Sequence, residues 1–199
     1  MNAKQLTQRY YTREDYFALL RTSQHKYEYL NGRVKMMAGG TVAHADIVGN
    51  TYYQLRAADH NCKINNSEMA VSVQLLNKYF FPDASAVCEA EAAYEPGGGI
   101  ARLTNPALLV EVLSEGTADY DRTTKFSAYR QLPSFREYLL IDSRRYNVET
   151  YYREQSDLWR IANYQELDQE VRINTLNITL PLSVFYEGVV LDPEPPAVP

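Results

Sequence analysis

Three acids and a lysine occupy positions in this sequence where a charge needs a reason to be. Glu111 interrupts the apolar run Leu108-Leu109-Val110-Glu111-Val112-Leu113, and a carboxylate there must meet a cation, a donor or a metal, or else protonate. Glu28 shares a strand face with Leu30, and Asp83 follows Pro82, a residue that turns its neighbour out of a ladder. Lys125 falls on the segment after Glu111. Oxygen ligands of this kind suit Mg²⁺ or Mn²⁺ and not zinc; such an ion polarises a phosphate and makes bound water acidic. The expected metal ligands are therefore Glu28, Asp83 and Glu111, with Lys125 orienting water or neutralising developing charge. The structural alternative is simple pairing, Glu111 with Lys125 or an arginine and Asp83 with an amide, and spacing alone does not choose. Paired carboxylates for glycoside hydrolysis find no sugar-stacking aromatic pattern in support.

The elements that would position these groups can be read locally. Leu108 to Leu113, between Asn105-Pro106 and Ser114-Glu115-Gly116, has the pattern of a strand buried on both faces. Asp119 to Leu132 reads as an amphipathic helix ended before Pro133, with Asp121, Lys125 and Tyr129 at i, i+4 and i+8 along one flank. Asn31-Gly32 predicts a two-residue hairpin turn between Lys26–Leu30 and Arg33–Met37, which puts Glu28 on a strand. Thr12 and Asp15 have the spacing of a capping box for a short helix through Leu20. Val42 to Ala58 is a second helix with His44 in its first turn, where the helix start can accommodate a neutral imidazole or an anion; a hydrogen-bonded surface histidine is the plainer alternative. Strands are expected at 62–65, 70–75 and 79–88, the last broken or bulged at Pro82, and at 137–142, 146–153, 159–164 and 171–180. Gly97-Gly98-Gly99, with no Lys-Ser/Thr after it, reads as a mobile flap in a loop from 89 to 105 and not as a phosphate-cradling loop. The mixture implies an α/β sheet with a helical crossover, extended by antiparallel strands.

The 199 residues, 45% of them hydrophobic, suffice for one domain over residues 1–190, followed by a Pro-rich tail at 191–199. No stretch approaches the roughly 20 apolar residues of a membrane span, and the N-terminus lacks an apolar secretion segment, so a cytoplasmic protein is expected. Cys62 and Cys88 lack CxxC spacing and read as buried free thiols. A net charge of −5 argues against a broadly basic nucleic-acid surface, although acids gathered round a metal would count in that total. Seventeen tyrosines favour an oligomer, most simply a homodimer.

Tyr27-Glu28 before the Asn-Gly hairpin, His44 opening a helix, Pro82-Asp83, Glu111-Val112-Leu113-Ser114, Lys125-Phe126 with Tyr129, and Glu137-Tyr138-Leu139-Leu140-Ile141-Asp142 together resemble the Uma-two family. The likeness runs from about Thr12 to Arg153. It implies membership of the PD-(D/E)XK restriction-endonuclease-like superfamily: a mixed central sheet flanked by helices, cutting nucleic acid with Mg²⁺. Carried over by position, Asp83 and Glu111 match the motif's metal-binding acids and Glu28 the additional upstream acid. Leu113 stands where the motif has its lysine, and Lys125 matches the lysine that this family carries on the following helix. The resemblance thus implies a divalent-metal-dependent endonuclease, with DNA ahead of RNA as substrate and with His44 and Tyr129 positioning it. The competing expectation is an inactive module of the same fold that binds nucleic acid or a protein.

Overall fold

The computed structural model describes residues 9–58, 61–88, 91–96 and 100–192. Helix α1 (Arg13–Thr22) starts at the expected capping box, with both reciprocal Thr12–Asp15 bonds made at 3.1 Å. The hairpin of β1 (Tyr27–Leu30) and β2 (Arg33–Met36) turns at Asn31 and Gly32, whose φ values of 48° and 94° are the left-handed pair this turn requires. Helix α2 (Val42–Ala57) buries Ala43, Ile47, Thr51 and Leu55. Then come β3 (Lys63–Asn66), β4 (Ala70–Val73), β5 (Lys78–Phe80), β6 (Ala84–Val87), β7 (Arg102–Leu103) and β8 (Leu108–Leu113). Helix α3 spans residues 118–129 and leads to β9 (Glu137–Asp142), β10 (Val148–Arg153), β11 (Trp159–Tyr164), β12 (Glu170–Ile173) and β13 (Ile178–Pro181).

The strands form a five-stranded sheet ordered β2-β1-β5-β4-β7, a six-stranded sheet ordered β11-β10-β9-β8-β6-β3, and the hairpin β12-β13. β8 and β9 run parallel with α3 as their crossover, and β4 and β7 are parallel; the other pairings are antiparallel. The strand expected at 79–88 is two strands in two sheets, because Phe81-Pro82-Asp83 carries the chain from one to the other. Likewise 171–180 is a hairpin, turned at Asn177 with φ 55°. The loop expected at 89–105 holds β7, and the flap glycines 97–99 lie outside the described residues.

Successive side chains on β8 go to opposite cores. Leu108, Val110 and Val112 pack toward α2 and the C-terminal turn Leu182–Tyr186, while Leu109 and Leu113 pack toward α3 and the five-stranded sheet. A smaller core of Tyr16, Phe17, Tyr29 and Tyr79 seats α1 on β1 and β5.

One expectation is corrected. Cys62 and Cys88 are bonded as a disulfide, since the β3–β6 register that faces Lys63 with Val87 brings the preceding and following residues together. Leu191 packs on the core and Asp192 is hydrogen-bonded, while residues 193–199 of the expected tail lie outside the described residues.

Candidate active site

Glu111, between Leu109 and Leu113 on their face of β8, projects toward α3. There Lys125 Nζ stands 2.8 Å from Glu111 Oε2, 3.1 Å from Asp121 Oδ1 and 3.3 Å from Glu28 Oε1. All four side chains are buried. One ammonium thus sits among three carboxylates. The helix reaches them because its middle turn, Asp121–Lys125, is a wider π turn, in which the Phe126 N–H bonds the Asp121 carbonyl. Two tyrosines hold the remaining glutamate oxygens: Tyr129 donates to Glu111 Oε1 at 3.0 Å, and Tyr120 donates to Glu28 Oε2 at 2.8 Å. A second lysine, Lys35, faces Glu28 across the β1–β2 ladder, with Nζ 3.2 Å from the centre of the Tyr120 ring.

Burial would drive Lys125 toward its neutral form, but Glu111, Glu28 and Asp121 outweigh it and hold the ammonium well above the ordinary lysine range. Burial also raises Glu111 well above the usual carboxylate range; Lys125 opposes this, and Asp121 and Asp83 add to it. Burial, then the neighbouring carboxylates, raise both the Tyr120 and Tyr129 hydroxyls, which keeps them protonated donors.

Asp83 approaches from the other side of the strand. Its Oδ2 accepts the Val112 N–H at 2.7 Å and stands 3.6 Å from His44 Nε2. Among the described residues its other oxygen has no hydrogen bond. The imidazole differs from the expectation of a neutral His accommodated at a helix start. Burial does push it down, but hydrogen bonding and attraction to Asp83, with the Val112 main chain, raise it above its ordinary 6.5. Gly40 is what lets the ring lie there: a Cβ on residue 40 would fall 2.7 Å from His44 Nδ1.

The structure therefore gathers Glu28, Glu111 and Lys125 into one cluster and sets Asp83 with His44 beside it. Tyr129, expected at the substrate, is fully buried with its hydroxyl on Glu111. Both simple pairings open to the sequence are made, Glu111 with Lys125 and Asp83 with an amide. Asp121, Tyr120 and Lys35 were not assigned from sequence. The i, i+4 spacing before Lys125 marks Asp121, and the Asn-Gly turn, which fixes residue 28 against 35, marks Lys35.

Among the described residues no three His, Cys, Asp or Glu side chains stand ready round a cation, since Lys125 fills the centre of the acid cluster. The donor chemistry nevertheless fits a hard divalent ion. Every candidate ligand is an oxygen, three buried carboxyl groups share one ammonium, and Glu28 Oε1 and Asp121 Oδ1 have among the described residues no partner besides Lys125 Nζ.

Comparison with known proteins bears on the family and the fold. A family model described as "Uma2: Putative restriction endonuclease" matches residues 13–184. Two proteins of Synechocystis sp., "Uncharacterized protein slr1290" and "Uncharacterized protein sll1609", are each 29% identical to the chain. Those matches cover 88% and 84% of this chain and 91% and 94% of the two relatives. A solved structure described as "a putative nuclease belonging to DUF820" from Anabaena variabilis matches with a TM-score of 0.67 at 17% identity, covering 89% of this chain and 98% of that one. At that identity the likeness establishes the fold alone, a mixed α/β architecture.

Proposed function

This chain belongs to the Uma2 family, and on that premise we propose that it is a divalent-metal-dependent endonuclease hydrolysing phosphodiester bonds of nucleic acid, DNA ahead of RNA. The observation that carries the reading is the convergence of three buried carboxyl groups, Glu28, Glu111 and Asp121, on the one ammonium of Lys125. Glu28, Glu111 and Asp83 would hold Mg²⁺ or Mn²⁺, with Asp121 as the addition the geometry suggests. When bound, such an ion supplies Lewis acidity at the phosphate and a more acidic water.

The chain's own residues supply the rest. Tyr129 and Tyr120 fix one oxygen each of Glu111 and Glu28, so these carboxylates hold their orientation without reorganisation. Lys125 Nζ orients the attacking water and offsets negative charge on the phosphate as the new P–O bond forms and the old one breaks. The partly exposed imidazole of His44, kept protonated-prone by Asp83, positions a phosphate oxygen. A duplex presents two strands, so the proposed unit is a homodimer. The proposed compartment is the cytoplasm, where the Cys62–Cys88 pair would face a reducing pool.

A second reading, the inactive module of the same fold, has one observation in its favour. Lys125 already compensates the acids as a structural ion pair, and Leu113 fills the position of the motif's lysine. Plasmid nicking in Mg²⁺ or Mn²⁺ separates the two. The enzyme reading expects nicking by the wild type that Glu111→Gln abolishes; nicking that persists unchanged in Glu111→Gln, or none by the folded wild type, would overturn it.

A further inference from the structure

The turn from β9 to β10 carries charge that the site above does not use. Asp142, fully buried at the end of β9, needs one cation and has two. Arg144 alone satisfies it: the Arg144 main-chain N–H and Nε both donate to Oδ1 at 3.0 Å, and Nη2 donates to Oδ2 at 2.9 Å. Arg145 adds a second guanidinium, its Nε 3.6 Å from Oδ2 and its side chain 56% exposed. The other carboxylate at the turn, Asp192, is taken up by the Ser143 and Thr41 hydroxyls, so Arg145 keeps a largely exposed guanidinium whose ion pair among the described residues is the 3.6 Å approach to Asp142. The other charges acting on Arg144 are Glu115 and Arg122, and Arg122 is itself paired with Glu149 at 2.6 Å. Tyr146 follows, 39% exposed, its ring edge-on to Tyr186 at 5.1 Å.

The turn is held rigidly. The Tyr186 hydroxyl lies 2.9, 3.1 and 3.0 Å from the carbonyls of Asp142, Arg145 and Asn147 and accepts the Asn147 N–H at 3.0 Å. Arginines held in this way lose little freedom on meeting an anion, and their planar forks match a phosphate. The turn also lies beside the candidate site. The Ser143 N–H bonds the carbonyl of Leu113, two residues past Glu111. The hydroxyls of Ser143 and Thr41 share Asp192 Oδ2 at 3.0 and 2.7 Å, and Thr41 caps the helix turn that carries His44.

We propose that Arg144, Arg145 and Tyr146 form a nucleic-acid contact outside the catalytic cluster, the guanidiniums taking a backbone phosphate that flanks the bond to be cut and Tyr146 offering its ring to an unpaired base. The proposal rests on the nuclease reading.

Fluorescence anisotropy tests it, with a labelled DNA duplex and the matching single strand titrated in Ca²⁺ across a KCl series. Arg145→Ala lowers the slope of log affinity against log salt by about 1, and Arg145→Lys restores it. Tyr146→Ser leaves the slope unchanged but weakens single-strand binding roughly fivefold or more. Duplex binding with the wild-type slope in Arg145→Ala would overturn the anchor while leaving the nuclease reading in place. No binding of either DNA by the folded wild type would remove both.

Discussion

Replacing Lys125 with methionine removes the ammonium and keeps most of the volume. At an effective dielectric of about 20, each contact at the distances found, 2.8 to 3.3 Å, is worth about 5 kcal/mol of Coulomb attraction. Most of that is offset by taking four charges out of water, and breaking one partner out of a buried ionic cluster costs about 3–5 kcal/mol. The expectation for Lys125→Met at pH 8 is a loss in that range, read by denaturant unfolding through Trp159, the chain's single tryptophan, which lies against Phe126 and Phe135. The pH dependence has a definite sign. Glu111 is already raised above its ordinary 4.5 by burial, and without Lys125 it rises further. The folded variant then binds protons that the unfolded chain does not. The penalty is therefore full above the folded pKa and fades as pH falls toward 4.5. A divalent cation at 100 times its dissociation constant would return about 2.7 kcal/mol to the variant. Wild-type stability at pH 8, or a deficit that grows on acidification, would refute the ionic account.

Three other consequences can be checked separately. Glu149 is held below its ordinary 4.5: burial raises it, but Arg122 and Tyr151 bind the ionised form more strongly. Glu149→Gln should cost about 1.5–3 kcal/mol at pH 7, and the difference from wild type should vanish below the normal glutamate range; a difference independent of pH would contradict this. The 26-residue separation between Cys62 and Cys88 corresponds to about 3.5 kcal/mol of chain entropy, so reduction should lower the unfolding free energy by up to that amount with the circular-dichroism spectrum unchanged. Gly40→Ala puts a methyl 2.7 Å from His44 Nδ1, so the imidazole should part from Asp83 and its pKa should fall toward 6.5 in an NMR titration; an unshifted titration would show that the ring has room.

Much of the candidate site is legible where local rules dominate. Period-two alternation places Glu111 on one face of β8. Helical spacing sets Asp121, Lys125 and Tyr129 on one flank, and the Asn-Gly turn fixes Glu28 opposite Lys35. What escapes is long-range register. Nothing within 79–88 says that the chain leaves one sheet for another at Pro82, and that passage sets Asp83 against the Val112 amide. The Cys62–Cys88 bond depends on β3 meeting β6, which spacing does not encode. His44 shows a local effect overruled by a distant one, the helix start yielding to a carboxylate 39 positions away in the chain. Of the seventeen tyrosines, read as an interface signature, seven serve inside. Tyr16, Tyr29, Tyr79, Tyr129, Tyr138, Tyr151 and Tyr186 are buried, several with their hydroxyls tied to carboxylates or carbonyls.

The central claim is that these acids take up a divalent cation, and calorimetric titration with Mn²⁺ tests it most directly, run on the wild type beside Asp83→Ala and Glu111→Gln with folding of each verified by circular dichroism. The account predicts stoichiometric binding by the wild type and its loss in both variants. Folded wild-type protein that takes up no Mn²⁺, or variants that bind it as the wild type does, would contradict the account and leave Lys125 as the cluster's permanent counter-ion.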